Sequence, residues 1–346
     1  MKISQKQKVL LICPTNENAV DNILLINNGK NLLASFKDYG FIYIYNLITF
    51  EIISKIKFPN EKKSITYNIQ LKDKRLAHSS HDKNIYITKQ NSNNEYFIDE
   101  ILSGYDGIIL KVIELKNEDI CSCAHDSTIK IWGKNINNKF ILKYNLKDSN
   151  EKFYSVLQIS ENIITSASKL IDNEEERYVK FWKINEKKSF NFINSKSITL
   201  WNNCFIQINK NYFGITGLNQ ISIIFYENEK SIKTNIFKFY ENEIEKPENK
   251  IEEPFVKYIN NELFFSFGNI LKYHLRRMRS IFKLKNNNFL VSDIYGDVYE
   301  LKFENETFKI IDIKKEMAAL QITSIVELNN GTLITASLDG SIKVYV

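Results

Sequence analysis

Apolar and polar residues alternate with a period of two along most of the chain, and runs with helical spacing are hard to find. Two segments, 118–132 and 331–345, show the pattern most clearly. Each consists of a strand, a turn led by aspartate and a second strand that ends in an aromatic residue. The two segments align without a gap from Ile120 and Leu333 onward. The pattern predicts an all-β chain built from internal repeats.

The aromatic residue at the end of these segments marks the length of the repeat. Eight related strand ends follow one another at steps of 43, 44, 50, 42, 49, 28 and 44 residues: Tyr45, Thr88, Trp132, Trp182, Ile224, Tyr273, Leu301 and Tyr345. Most steps match the about 40–45 residues of one four-stranded propeller blade. Turns rich in asparagine or charge precede the second strand of each unit, and asparagine tolerates the left-handed backbone of tight hairpins.

Segments 124–132, 179–182 and 336–345 resemble repeats of the WD-repeat β-propeller family. The residues that carry the resemblance are turn aspartates and strand-end tryptophans: Asp82, Asp126, Asp339, Trp132 and Trp182. The chain has no Gly-His dipeptide, so the family's Asp–His hydrogen bond is absent, and we expect the aspartates to cap backbone N–H groups of their own turns. The tryptophans are expected to pack between blades.

The resemblance implies a WD40-like propeller of seven to eight blades. Eight repeat signatures favour eight blades, although the unit around 260–276 is truncated, because only 28 residues separate Tyr273 from Leu301. Seven is the commoner ring in the family. In that interpretation the short unit is an insertion or an outer hairpin of a neighbouring blade. Both numbers stay open at this point.

The two ends of the chain predict how the ring closes. Residues 6–13 form a lone strand before the first full unit, and the last repeat stops at Val346, after its third strand. Pairing the two would complete the last blade and remove an exposed sheet edge. We therefore expect a single propeller domain over 1–346, with 1–13 as its closing strand.

Composition and charge narrow the function classes. The 47 Lys and Arg residues nearly balance 41 Asp and Glu residues, and the net charge of +6 argues against a molecule-wide surface for nucleic acid. Four cysteines are too few for a disulfide scaffold, and no run approaches the about 18 apolar residues of a membrane span. We expect a soluble intracellular protein in the cytoplasm, with the nucleus as the alternative location.

Candidate binding residues fall on one side of the predicted ring. Blade-to-blade loops and second-to-third-strand turns share one end of a propeller, which we call the loop face. Two acidic insertions, 170–177 and 241–253, are predicted there, and charge runs of this kind commonly only solvate a loop. Trp201 precedes the first strand of the fifth unit on the same face, where it is a candidate binding anchor if it is exposed.

Three of the five arginines lie together at Arg276, Arg277 and Arg279. A guanidinium binds carboxylate or phosphate through two parallel hydrogen bonds, which lysine does not reproduce. The cluster could pair with the loop 241–253 or with a neighbouring blade, or it could bind an acidic or phosphorylated peptide of a partner protein. Residues 275–278, Leu-Arg-Arg-Met, weakly resemble the Leu/Phe-Arg-Arg-Gly signature of phosphoinositide-binding propellers. That resemblance implies a membrane alternative through Arg276 and Arg277.

No catalytic constellation is found. The histidines at 78, 81, 125 and 274 lack zinc-site spacing, and no phosphate loop, nucleophile elbow or calcium loop is present. The sequence thus predicts no metal and no cofactor. The main hypothesis is a non-catalytic scaffold or adaptor that docks partner proteins on the loop face. A phosphoinositide-binding propeller is the alternative, and a propeller enzyme with a site in the channel is the remote one.

Overall fold

The computed structural model describes residues 7–12, 19–147, 150–172, 177–184, 186, 188–194, 204–217, 220–228, 231–239, 255–259, 262–266, 273–274, 278–315, 317–318 and 320–345. Within these residues the chain forms only antiparallel β-sheets, and no helix occurs among them. Seven of the sheets have four strands, and one has three. The first strand of the chain is β1 (Gln7–Ile12).

The four-stranded sheets are the blades, and their strands follow chain order from the channel to the perimeter. Blade one contains β2 (Val20–Ile26), β3 (Asn31–Phe36), β4 (Phe41–Asn46) and β5 (Ile52–Lys57). Blade two contains β6 (Ile65–Gln70), β7 (Leu76–Ser80), β8 (Ile85–Gln90) and β9 (Tyr96–Leu102). Blade three contains β10 (Ile109–Glu114), β11 (Ile120–Ala124), β12 (Thr128–Lys134) and β13 (Phe140–Lys147). Blade four contains β14 (Glu151–Gln158), β15 (Ile163–Leu170), β16 (Arg177–Lys183) and β17 (Lys188–Asn194).

The second half of the chain continues in the same way and contains the three-stranded sheet. Blade five contains β18 (Phe205–Gln207), β19 (Tyr212–Thr216), β20 (Gln220–Asn228) and β21 (Ser231–Lys238). The three-stranded sheet contains β22 (Phe255–Ile259), β23 (Glu262–Ser266) and β24 (Tyr273–His274). Blade six contains β25 (Met278–Lys283), β26 (Phe289–Asp293), β27 (Val298–Glu304) and β28 (Thr307–Lys314). Blade seven contains β29 (Ile322–Glu327), β30 (Leu333–Ser337) and β31 (Ser341–Tyr345), with β1 as its fourth strand.

The ring closes through its two ends, as the sequence predicts. Strand β1 pairs antiparallel with β31, from Gln7 opposite Tyr345 to Ile12 opposite Ser341. The innermost strands contact one another in the order β2, β6, β10, β14, β18, β25 and β29, and β29 returns to β2. The hydroxyl of Thr323 in β29 donates to the carbonyl oxygen of Val20 at 2.6 Å and joins blade seven to blade one. The molecule is a closed β-propeller.

Seven blades form the ring, so the seven-blade alternative holds. Blade five touches blade six directly: the amide of Met278 donates to the carbonyl of Gly217 at 3.2 Å, and Lys283 Nζ donates to the carbonyl of Ile208 at 2.7 Å. The signature at Tyr273 belongs to the three-stranded sheet, which lies in an insertion between β21 and β25. Its alternation matches a blade because alternation reports local strand pairing and carries no information on packing within a ring.

The apolar core is divided among the blade interfaces. Seven buried clusters are present in the described residues, and each joins two neighbouring blades. Trp132 lies in the cluster between blades two and three, and Trp182 lies in the cluster between blades three and four. Both faces of every blade are therefore covered by apolar contacts, with the outer strands left at the perimeter.

Blades two and three are also joined by a buried ion network. Arg75, 7% exposed, donates from Nη2 to Asp73 Oδ2 at 2.9 Å and from Nη1 to Glu100 Oε1 at 2.6 Å. Glu100 Oε2 accepts the amide of Phe140 at 2.7 Å, and the guanidinium of Arg75 lies over the ring of Phe140. The network fixes the start of β13 against β9 because Glu100, which Arg75 holds in place, accepts the backbone amide of Phe140.

Replacing the arginine tests this network. We expect Arg75→Met to lower the free energy of unfolding by about 3–5 kcal/mol, the range for removing one partner of a buried ion pair. Urea denaturation measures the change. The matched control is Lys57→Met, because Lys57 pairs with Glu61 while both side chains are more than half exposed, and such pairs contribute about 0–1 kcal/mol. Equal effects of the two substitutions would show that the Arg75 network does not hold the blades.

Deleting the closing strand tests the ring closure. We expect removal of residues 1–13 to lower the melting temperature by well over the about 2–4 °C that 1 kcal/mol causes in a medium-sized domain, because β31 loses its only outer neighbour in the blade. Removal of 1–6 alone is the control, since it leaves β1 intact. An unchanged melting temperature after the longer deletion would argue against closure by β1.

Candidate functional site

The loop face is built from backbone contacts that recur from blade to blade. The residue after the second strand donates its amide to the carbonyl just before the first strand in four blades at 2.8–2.9 Å: Lys37 to Ala19, His81 to Ser64, His125 to Ile108 and Leu338 to Gln321. Because the backbone bond repeats, side chains at this position occupy equivalent places around the channel mouth.

A β-bulge follows in the first strand of six blades. The extra residue of each bulge lies at the same point of the ladder, and these residues are Asp21, Thr66, Leu110, Tyr154, Arg279 and Thr323. A bulge bends its strand and redirects a side chain at the rim of a closed sheet. The bulged residues therefore form a second ring of equivalent positions around the mouth.

Blades one to three place basic or imidazole side chains directly after the second strand, and blade four places a lysine at the same point of the ladder, inside β15. We call these four residues the mouth arc: Lys37, His81, His125 and Lys169. Lys37 is exposed, and the other three are half-buried. Lys169 belongs to the set because the ladder of blade four pairs Ser168 with Phe153, as Ala124 pairs with Ile109 in blade three.

The two histidines of the mouth arc are uncharged at neutral pH. Burial, followed by the charges of Lys152 and Lys169, lowers the pKa of His125 to about 4. Burial is also the largest cause that lowers the pKa of His81, and Lys63 and Lys37 act in the same direction. The positive charge of the arc thus comes from its lysines.

The imidazole of His125 packs on an aromatic ring. Its centroid lies 4.7 Å from that of Tyr154, and its Nε2 atom is buried with no hydrogen-bond partner among the residues that the structure describes. The backbone amide of His125 donates to the carbonyl of Ile108 at 2.9 Å, while its side chain makes no hydrogen bond to the described residues. A donor or acceptor group therefore remains unused at the mouth.

Arg279 is the member of the predicted arginine cluster that the structure describes. It occupies the bulge of β25, is half-buried and interacts with the charge of Asp21, the bulged residue of β2. Burial lowers the pKa of Arg279 to about 9 and raises that of Asp21 to about 7. An opposite charge that acts on Arg279 thus lies in blade one.

The other predicted binding residues lie outside the described residues. These are Arg276, Arg277, Trp201, the loop 241–253 and positions 173–176 of the insertion 170–177. The described part of that insertion extends β15 to Leu170 and ends at Asp172, whose carboxylate accepts a hydrogen bond from the side chain of Asn150. Nothing further follows for these segments.

Comparison with known proteins identifies the fold. No protein-family model matches the chain, and no curated protein sequence matches it. The structure of U3-55K superimposes with a TM-score of 0.69 at 12% identity, over 97% of both chains. The WD40 β-propeller domain of Doa1 superimposes with a TM-score of 0.66 at 12% identity, over 98% of this chain and 96% of that domain. The fold is a WD40-like β-propeller. At such identities the likeness shows the fold alone, and it confirms the resemblance seen in the repeats.

One repeat of the WD40-like propeller replaces the missing histidine by a tyrosine. Trp132 Nε1 donates to Tyr105 Oη at 2.8 Å, and Tyr105 Oη lies 2.5 Å from Ser122 Oγ. Tyr105 comes from the loop that leads into blade three, so its hydroxyl joins that loop to the second and third strands. The sequence analysis missed it, although an aromatic residue between two glycines, Gly104 and Gly107, was a visible signal.

The turn aspartates of the WD40-like propeller bind their own turns. Asp126 Oδ1 accepts the amide of Thr128 at 3.1 Å, and Asp339 Oδ1 accepts the amide of Ser341 at 2.9 Å. Asp82 Oδ1 accepts the amide of Asn84 at 3.2 Å. Asp126 does more than the sequence predicts, because its Oδ2 also accepts the amide of Asp106 at 2.8 Å and ties the turn to the loop before β10.

Two glycines allow these loops to approach so closely. A Cβ on Gly107 would lie 2.5 Å from the amide nitrogen of Asp126. A Cβ on Gly296 would lie 2.3 Å from the carbonyl oxygen of Ala318, and Gly296 has a φ of +83°, which other residues rarely adopt. The loops around the mouth are thus held by backbone contact.

The described residues contain neither a candidate metal cluster nor a candidate membrane-spanning helix. No group of three or more His, Cys, Asp or Glu side chains there is placed to hold a metal ion. No helix within those residues has the length and apolar character needed to cross a membrane.

A buried polar network lies between blades one and two of the WD40-like propeller. Asn68 Nδ2 donates to Asn22 Oδ1 at 3.2 Å, and Asn68 Oδ1 lies 2.7 Å from His78 Nδ1. Because the amide nitrogen of Asn68 already donates, His78 Nδ1 carries the proton, and His78 Nε2 accepts from the hydroxyl of Thr88 at 2.9 Å. Burial lowers the pKa of His78 to about 3.

This histidine makes stability depend on pH. Below about pH 6.5 the unfolded chain takes up a proton at His78 that the folded chain refuses, so stability falls as the pH falls toward about 3. We expect the stability advantage of the wild type over His78→Gln at neutral pH to shrink by as much as about 1.4 kcal/mol per pH unit on acidification. Urea unfolding of both proteins between neutral pH and about pH 4 measures it. A constant difference would mean that His78 titrates normally in the folded state.

Proposed function

We propose that the chain is a non-catalytic protein-interaction scaffold, and that the mouth of its channel binds an acidic segment of a partner protein. The mouth arc is the observation that carries this proposal. Four consecutive blades present Lys37, His81, His125 and Lys169 at one repeat position, and no carboxylate occupies that position in these blades. The charge of the arc lies on Lys37 and Lys169, with two uncharged imidazoles between them, and cations at equivalent places favour a ligand of opposite charge that spans several blades.

The carboxylates nearest to the mouth arc support the proposal through their contacts. Asp82 accepts the amide of Asn84 and the hydroxyl of Tyr86, and Asp126 accepts the amides of Thr128 and Asp106. These carboxylates are thus held by their own turns and by a neighbouring loop, and the lysines of the arc supply the positive charge that a carboxylate of the partner would meet. Lys169 is half-buried, and partial removal from water strengthens its attraction to a carboxylate.

Arg279, on the other side of the mouth, adds a positive charge that Asp21 partly balances. Arg279 interacts with the charge of Asp21, and burial raises the pKa of Asp21 to about 7, so this carboxyl is only partly ionised near neutral pH. A partner carboxylate that reaches Arg279 would compete with a weakly charged group. The predicted cluster Arg276, Arg277 and Arg279 is compatible with the same acidic ligand, with Trp201 as a candidate apolar anchor beside it.

Charge reversal in the arc tests the proposal. We expect Lys37→Glu combined with Lys169→Glu to lose at least nine-tenths of the partner proteins that the wild type captures from cells, because the arc becomes acidic. Quantitative mass spectrometry after affinity capture measures the loss. The control is Lys30→Glu combined with Lys210→Glu, since both exposed lysines lie in first-to-second-strand turns at the opposite end of the ring. Melting temperatures of the variants must match that of the wild type.

Two outcomes would contradict the proposal. If the arc variant retains every partner that the control retains, the mouth does not dock them. If the wild type captures no reproducible partner but floats with phosphoinositide vesicles, and Arg276→Ala, Arg277→Ala and Arg279→Ala together abolish flotation, the protein acts at a membrane.

A further inference from the structure

The outer strands of most blades contain a β-bulge, which makes their free edge a poor partner for another strand. In blades one, two, three, four and six, the fourth strand has an extra residue, which shifts the register of its ladder with the third strand. The shift lies within the ladder in blades two, three, four and six, and toward the connecting turn in blade one. In blade seven, β1 shifts in the same manner against β31. Bulges interrupt the row of outward N–H and C=O groups and so oppose pairing with another strand.

Strand β21 of blade five differs from these outer strands. It pairs with β20 without interruption from Lys238 opposite Gln220 to Ile232 opposite Tyr226, and the register shifts only beside the connecting turn. Four consecutive residues of β21, from 233 to 236, are exposed, and Ile236 keeps 52% of its surface in contact with solvent. Within the described residues, β21 is the outer strand with a regular, uncovered edge.

The two faces of β21 have different chemistry. On one face Phe237 packs on Phe308 of blade six at 5.9 Å between ring centroids, and Asn235 Nδ2 donates to the carbonyl of Glu306 at 3.3 Å, with Lys233 next along this face. On the other face Ile236 lies exposed beside Thr234. Lys238 shares the face of Ile236, so a strand added to this edge would meet Lys233 on one face, and Ile236 followed by Lys238 on the other.

We propose that the edge of β21 is a second docking site, at which an extended acidic segment of a partner protein adds as a fifth strand to blade five. Backbone hydrogen bonds supply the pairing, and alternate side chains supply the selection. The segment carries acidic residues on the face of Lys233 and β-branched apolar residues on the face of Ile236.

The charge of the β21 side chains indicates which kind of strand binds to its edge. The ionisable side chains of β21 are Lys233 and Lys238, both exposed, and no acidic side chain in the described part of the chain pairs with either. Pairing of β21 with β21 of a second copy would bring four lysines together, whereas an acidic strand would neutralise them. The surface is separate from the mouth arc, so this proposal stands or falls independently of that one.

A synthetic peptide in which glutamate alternates with valine tests the proposal, with fluorescence anisotropy for affinity and hydrogen exchange for location. We expect saturable binding to the wild type and slower exchange confined to the amides of 231–238. We expect Lys233→Glu to weaken binding at least tenfold, and a peptide of alternating lysine and valine to bind that variant instead. The control is Lys309→Glu on β28, an exposed lysine on an outer strand that carries a bulge, which should leave both measurements unchanged.

Three results would overturn the proposal. One is the absence of saturable binding of the glutamate–valine peptide to the folded wild type. Another is binding that ignores the charge swap between Lys233 and the peptide. The third is a concentration-dependent dimer in sedimentation that Ile236→Lys dissolves, because the edge would then belong to a second copy of the chain.

Discussion

Each four-stranded sheet of this protein has two apolar faces, and a blade can cover them only with the blades on either side. The seven buried clusters, one at each interface, are the result. An open row of blades would leave two such faces in water, so the hydrophobic effect itself requires a ring. Closure by β1 and the direct contact of blade five with blade six both serve this requirement.

The same ring gives the loop face its geometry. Because four blades repeat one backbone hydrogen bond after the second strand and six repeat one bulge in the first, the side chains at these positions form ordered sets around the channel. Contacts such as that of Gly296 with Ala318 hold the loops to one another. A binding surface assembled in this way changes by single side chains while its frame stays constant, which is a common basis for variety among repeat proteins.

Much of the fold could be predicted from the sequence, because alternation and strand-end aromatics such as Trp132 and Tyr345 report local pairing. The blade number could not, since the unit at Tyr273 has the same local pattern without a place in the ring. The mouth arc was visible in part, as basic residues directly before Asp38, Asp82 and Asp126, but its fourth member follows only from the register of blade four. The bond from Trp132 to Tyr105 depends on a loop that no periodicity describes.

The pairing of β1 with β31 also determines how the ring responds to a pulling force. Gln7 lies opposite Tyr345, so tension that separates these two residues would act on the hydrogen bonds of the ladder one after another, in the manner of a zipper. Paired strands that are pulled apart in that direction separate at a lower force than strands that are sheared along their length. This holds however much their hydrogen bonds contribute to stability at equilibrium. A modest pull on these two strands would thus open the ring, with blade seven the first to separate.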